Sequence, residues 1–160
     1  MMNKSDIYSY LDNCKIEYEI TEHKAVFNMA ELEEVDLLYP DCQGKNLFVR
    51  DKKRNYYLIT VKGDKRINLK EFAQNYGLKS LSFACHDDLM KLLRLDPGSV
   101  TPFGLLNDLN NEVKLFIDEN FKGGLIGVHP NDNTATIWLK TEDMIRLIKE
   151  HGNEVISIVI

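Results

Sequence analysis

Three short stretches of this chain hold polar groups at strand mouths and in turns, where binding and catalytic sites usually form. GKNLFVRDKK, residues 44–53, sets Lys45 and Asn46 at the mouth of an apolar run. DPGSVTPFGLLND, residues 96–108, brackets Ser99 and Thr101 with two prolines and two glycines ahead of a helix-like stretch. GVHPNDNTATIWL, residues 127–139, leaves one strand-like run at His129-Pro130 and enters the next at Asn133-Thr134. Together they offer a fixed cation, an amide, an imidazole and a shaped backbone.

The familiar catalytic sets are missing from the rest of the chain. Cys85-His86 pairs a thiol with a base, but sequence neighbours rarely face one another; it reads as a buried cysteine followed by a helix start. The carboxylate pairs Glu33-Glu34 and Asp87-Asp88 read as solvated helix ends and beginnings. No serine has the Gly-x-Ser-x-Gly context of a hydrolase elbow, and no glycine-rich loop ends in the Lys-Ser/Thr of a P-loop. Neither Cys-x-x-Cys nor His-x-x-x-His spacing occurs, so no metal and no cofactor is expected.

Composition narrows the class. Apolar residues make up 44% of the 160 and charged residues 28%, the balance of an ordinary water-soluble domain of residues 1–160. No apolar run approaches the ~18 residues that span a bilayer, and the N-terminus lacks a signal-peptide core. Cys14, Cys42 and Cys85 are odd in number and far apart, which points to reduced thiols and a cytoplasmic location. The net charge of −5 hides a division: −7 over residues 1–44, +7 over 45–79 and −5 over 80–160. A basic stretch in an acidic protein suits contact with nucleic-acid phosphates, and equally a solvated hairpin.

The elements that must position these groups alternate between the two periods. Ser5 and Asp6 are the caps expected for a helix through Asn13. Alternation of Ile16, Tyr18 and Ile20 gives a strand. Asn28 with Glu31 resembles a capping box for a helix through Val35. Asn46–Asp51 and Tyr56–Val61 form a hairpin across KKRN. Asn68 opens a helix that Gly77 closes after Tyr76. Leu78–Phe83 reads as a strand, and Asp87–Leu95 as a helix with Leu89, Leu92 and Leu93 on one side. Strands follow at Val113–Ile117, Leu125–Val128 and Thr134–Leu139. Thr141 caps a helix that Gly152 ends after His151, and Val155–Val159 closes the chain as a strand. Hairpins and short connections favour an α/β fold with a mixed, largely antiparallel sheet surrounded by helices, over a doubly wound parallel one.

Five stretches resemble one family in order and spacing: EHKAVFNMAELEEV (22–35), GKNLFVRDKK (44–53), LSFACHDDLMKLL (81–93), GSVTPFGLLND (98–108) and HPNDNTATI (129–137). The chain is similar to free-standing homologues of the editing domain of bacterial prolyl-tRNA synthetases, the YbaK/ProX superfamily of aminoacyl-tRNA deacylases. The Gly-Ser-Val-Thr-Pro-Phe-Gly loop is closest to the alanyl-editing branch, ProXp-ala or PrdX. Gln43-Gly44 depart from the family, whose members often carry a His and a hydroxyl residue there, which alters the hydrogen bonding beside Lys45.

The resemblance implies hydrolysis of alanine mis-esterified to tRNA(Pro), with Pro-tRNA(Pro) spared and prolyl-tRNA synthetase as a further partner. An aminoacyl ester is labile, so its hydrolysis needs positioning and charge stabilisation more than a strong nucleophile. Lys45 is the implied essential lysine, holding the terminal phosphate or the developing oxyanion. Asn46 would orient the carbonyl or the amine, and His129 the attacking water. Gly98, Ser99, Val100, Thr101, Pro102, Phe103 and Gly104 would wall the aminoacyl group with backbone N–H groups. A pocket for a small side chain excludes proline by size, although about 1–3 kcal/mol per methylene is insufficient alone. Cysteinyl editing, and a non-catalytic binder of charged tRNA or free amino acid regulating proline metabolism, are the other readings of the same residues.

Overall fold

Six consecutive buried residues, Tyr56 to Val61, open strand β3 (Tyr56–Lys62). A strand buried on both faces belongs in the middle of a covered sheet, and β3 occupies the centre of a five-stranded one. The computed structural model describes residues 1–25, 31, 37–63 and 65–160. The helix expected over Asn28–Val35 lies outside these residues, save for Glu31.

Helix α1 (Lys4–Asn13) leads into β1 (Tyr18–Glu22), and a 3-10 turn at Pro40–Cys42 precedes β2 (Gly44–Arg50). After β3 come α2 (Leu69–Tyr76), β4 (Ser82–Phe83) and α3 (His86–Leu93). Two 3-10 turns, Pro97–Ser99 and Pro102–Asn107, lead to β5 (Val113–Asp118). The chain ends with β6 (Leu125–Val128), β7 (Ala135–Lys140), α4 (Thr141–His151) and β8 (Val155–Ile158).

These strands form two sheets instead of the single one expected. One is antiparallel, in the order β1-β7-β6; the other is β4-β2-β3-β5-β8. In the larger sheet β2 pairs antiparallel with β3 and β4, while β3-β5 and β5-β8 are parallel. A parallel bridge between Gln43 and Gly127 stitches the two together. The main core, with Phe48, Leu58, Leu115, Ile126, Ile137 and Phe103 among its members, also takes in Ile7, Leu93 and Leu147 from α1, α3 and α4. A smaller cluster on the opposite face of the larger sheet packs Val49, Ile59, Val61 and Phe116 against Phe72 of α2. Phe72 meets Phe116 edge-on with ring centroids 5.2 Å apart, a favoured aromatic arrangement.

Local signals account for several boundaries. Asn68 accepts from the N–H groups of Lys70 and Glu71, and Gly77 ends α2 at φ +68°. Gly152 ends α4 at φ +115°, a conformation that costs a side-chain-bearing residue. Asp51 ties the β2–β3 turn by accepting from the Lys53 and Asn55 N–H groups.

Other boundaries differ from expectation. Asn3, not Ser5 or Asp6, caps α1; its side chain accepts from the Asp6 N–H while Asp6 accepts from the Asn3 N–H. Thr141 is the first helical residue of α4, behind Lys140, and its buried hydroxyl has no partner among the described residues. Leu78–Phe83 contracts to a two-residue edge strand, Ser82–Phe83, and Cys85 after it is exposed, not buried. The helix-like stretch after the proline loop is a 3-10 turn.

Candidate functional site

The three sequence segments meet at the C-terminal end of β6. The bridge from Gln43 to Gly127 sets the start of β2 beside Gly127, Val128 and His129. Gly44 faces this strand: a Cβ built on it would stand 3.5 Å from the Gly127 carbonyl oxygen and 3.7 Å from Val128. From the proline loop, the Thr101 hydroxyl donates to the His129 carbonyl at 2.6 Å.

Strand alternation then sorts the side chains. Parallel-bridged residues share a face, and so do residues two apart. Gln43 and Lys45 therefore lie on the same face as Gly127 and His129, while Gly44, Asn46 and Val128 turn the other way. Lys45 is half-buried, paired with Val61 in register, and its ammonium donates to the Lys65 carbonyl at 3.3 Å. The backbone of that partner is anchored in turn. Lys65 Nζ lies 2.6 Å from the fully buried Asp118 carboxylate, which also accepts from the Lys62 N–H. Burial alone would raise the Asp118 pKa, but Lys65 and the Asn120 and Lys62 N–H groups outweigh it and hold it below the usual carboxylate range.

Asn46 is not brought to the Lys45 side. Its Oδ1 accepts from the Thr60 hydroxyl at 2.7 Å, across the β2–β3 ladder, with Thr60 fully buried. This pair braces the strand mouth and fixes the Asn46 amide, whose residue keeps partial exposure.

His129 is oriented by the backbone. Its Nδ1 lies 2.9 Å from the Ala135 carbonyl oxygen. A carbonyl only accepts, so Nδ1 carries the proton and Nε2 of the neutral ring keeps a lone pair. Burial lowers the His129 pKa and outweighs the Ala135 carbonyl, which raises it; His23 lowers it and Asp132 raises it by smaller amounts. The ring of His23 lies 6.0 Å from that of His129. His23 is held by the Lys24 carbonyl at 2.8 Å and the Thr136 hydroxyl at 3.0 Å.

Most of the proline loop faces inward. Thr101, Phe103 and Leu105 are wholly buried, Phe103 in the main core, while Gly98 and Val100 keep partial exposure. Two of its N–H groups close turns, Ser99 to Asp96 and Gly104 to Thr101. Gly104 packs closely: a Cβ there would come within 2.5 Å of Leu95 Cδ1, so the end of that buried side chain would have to shift.

Sequence reasoning missed Gln43 as a neighbour of His129, the His23 partner and the Trp138 wall. The Trp138 ring lies over Gly127 and meets Tyr39 edge-on at 5.6 Å. The unusual Gln at position 43 was the available signal. The basic segment also divides. Lys62 pairs with Gly44 at the Lys45 end, whereas Lys52, Lys53 and Arg54 occupy the far turn of the hairpin, roughly 20 Å away at the strand rise. Among the described residues no group of three His, Cys, Asp or Glu converges to hold a metal, and no helix is long and apolar enough to cross a membrane.

Comparison with known proteins gives the same direction. A family model described as the aminoacyl-tRNA editing domain matches residues 23–147. The prolyl-tRNA editing protein ProX of Acetoanaerobium sticklandii is 42% identical over 152 residues, covering 94% of this chain and 93% of that one. Prolyl-tRNA synthetase associated domain-containing protein 1 of Mus musculus is 33% identical over 157 residues, covering 94% and 92%. A solved structure of a candidate trans-editing enzyme for prolyl-tRNA synthetase superposes with TM-score 0.69 at 18% identity, over 98% of this chain and 96% of that one, a likeness of fold.

Proposed function

The chain belongs to the aminoacyl-tRNA editing domain family, and on that premise we propose that it is a hydrolase that removes alanine mis-esterified to tRNA(Pro) and leaves Pro-tRNA(Pro) intact. The observation that carries this reading is the convergence of Lys45, His129 and the Thr101 loop on one strand end, joined by the Gln43–Gly127 bridge and the Thr101–His129 hydrogen bond.

The chemistry follows from the two oriented groups. A water placed at His129 Nε2 gives up a proton to the imidazole as its oxygen bonds to the ester carbonyl carbon. The Lys45 ammonium stabilises the oxyanion that forms, or holds the neighbouring phosphate. Collapse breaks the bond to the terminal ribose, whose oxygen takes the proton back from the imidazolium, releasing alanine and tRNA. Lys62, Lys65 and exposed Arg66 lie along the chain from this end of the hairpin and suit the RNA backbone better than the distant Lys52–Arg54 turn.

The deciding measurement is ester loss from Ala-, Cys- and Pro-tRNA(Pro) incubated with the purified protein. Alanine should be released fastest, proline should be retained, and a chelator should not stop the reaction. Equal loss of alanine and proline, or preferential loss of cysteine, would reject the alanyl assignment.

A pH profile tests His129. Its neutral form is the active one, and burial holds its pKa below the ordinary 6.5. Activity, corrected for spontaneous hydrolysis, should stay level as pH falls from about 8 to 6.5 and decline only below that. The acidic limb should disappear in His129→Asn along with most of the rate. An unchanged limb in that variant would assign the titration to another group.

A further inference from the structure

Gln43 lies on the Lys45–His129 face, and the mechanism leaves its side chain unused. Its main chain is committed: the carbonyl accepts from the Gly63 N–H at 3.0 Å, and the residue is bridged to Gly127. Its side-chain Oε1 is shut from solvent and accepts no hydrogen bond from any described residue. A buried amide oxygen left without a donor is costly, and folded chains seldom keep one without a use. The oxygen belongs to a residue two before Lys45 and across the bridge from the strand that ends in His129, so a turn of the side chain toward this face would give it the donor it lacks from the site's ligand.

The ligand's own chemistry identifies that donor. An aminoacyl ester presents its carbonyl to the oxyanion stabiliser and its ribose to the RNA side, and its α-amino group is the remaining source of N–H bonds next to the reacting carbon. Lys45 and the Nδ1–H of His129 are donors already directed to backbone carbonyls. An ammonium therefore requires an additional acceptor, and Gln43 Oε1 is a buried one on this face.

We propose that Gln43 is the residue that recognises the α-amino group of the substrate, accepting one of its N–H bonds through Oε1. This deepens the deacylase reading above and rests on it. It also bears on selectivity. Proline carries a ring methylene on its nitrogen in place of one N–H, so the contact is weaker or lost where alanine makes it.

The test compares alanyl and propionyl esters on the same tRNA(Pro), propionate being alanine without the amine. Single-turnover rates are measured for wild type and Gln43→Met, with Gln43→Asn, which withdraws the oxygen by one methylene, as a second variant. Intrinsic ester reactivity cancels in the ratio of ratios. Alanyl hydrolysis should fall roughly ten- to a hundredfold in both variants. Propionyl hydrolysis should stay within about twofold of wild type, so that the alanyl preference collapses by the same factor. Equal losses on both esters would make Gln43 a structural residue, and unchanged rates would leave its side chain without a role; either result overturns the proposal. A wild type inactive on both esters overturns the deacylase reading itself.

Discussion

Lys45→Ala should lower single-turnover hydrolysis of Ala-tRNA(Pro) by about a hundredfold or more, a loss on the order of 3 kcal/mol in transition-state stabilisation. The melting temperature should hardly move. Lys45 is half-buried at a strand mouth and its side chain makes one hydrogen bond among the described residues, to the Lys65 carbonyl, so its removal leaves no cavity in either core cluster. Lys45→Arg should recover little, because a planar guanidinium is bulkier than the compact ammonium and distributes its charge over a fork. Rates and melting curves on the three proteins decide the matter. An alanine variant that melts normally and hydrolyses within threefold of wild type would remove Lys45 from the mechanism. The chemistry would then rest on His129 and the backbone of the Gly98–Gly104 loop.

Gly127→Ala should produce the largest loss of stability. A Cβ at this position would lie 2.2, 2.6 and 2.8 Å from three atoms of the Trp138 ring. The ring has little room to yield: it is 1% exposed, meets Tyr39 edge-on and donates through Nε1 to the Thr21 hydroxyl at 2.9 Å. Overpacking of this kind costs about 1–3 kcal/mol and sometimes more, which for a chain of this size corresponds to a melting shift of roughly 2–12 °C. Trp138 is the single tryptophan of the sequence, so its fluorescence reports the displaced ring directly. Activity should fall as well, since Gly127 carries the bridge to Gln43 that sets the two sheets in register. In the double variant Gly127→Ala/Trp138→Leu the loss should be smaller than the sum of the two single losses, a coupling that only neighbours show. Gly127→Ala with unchanged melting and fluorescence would mean that the ring is not packed against this glycine.

The elements whose cause is local were legible in the sequence. Gly77 and Gly152 end helices at positive φ, a conformation that glycine alone adopts without penalty. Leu89, Leu92 and Leu93 share the buried side of α3 because a helical turn brings such spacings together. The hairpin from Gly44 to Lys62 follows from two apolar runs and a polar turn. Even the opposite facing of Lys45 and Asn46 was implicit, since neighbours on a strand alternate. Helix caps were less certain. Asn3 caps α1 and Thr141 falls inside α4 because a cap depends on the backbone dihedrals of one residue, and Ser, Asp and Thr are good caps at several adjacent positions.

Tertiary structure alone decided what makes the residues a site. Gln43 meets Gly127, and Thr101 meets the His129 carbonyl, across separations over which local propensity carries no information. The division into two sheets comes from the same source. Strand periodicity specifies which face of a strand is buried, but not which other strand satisfies its hydrogen bonds. That choice belongs to the burial of the whole chain, in which every apolar face and backbone polar group must find a partner at once.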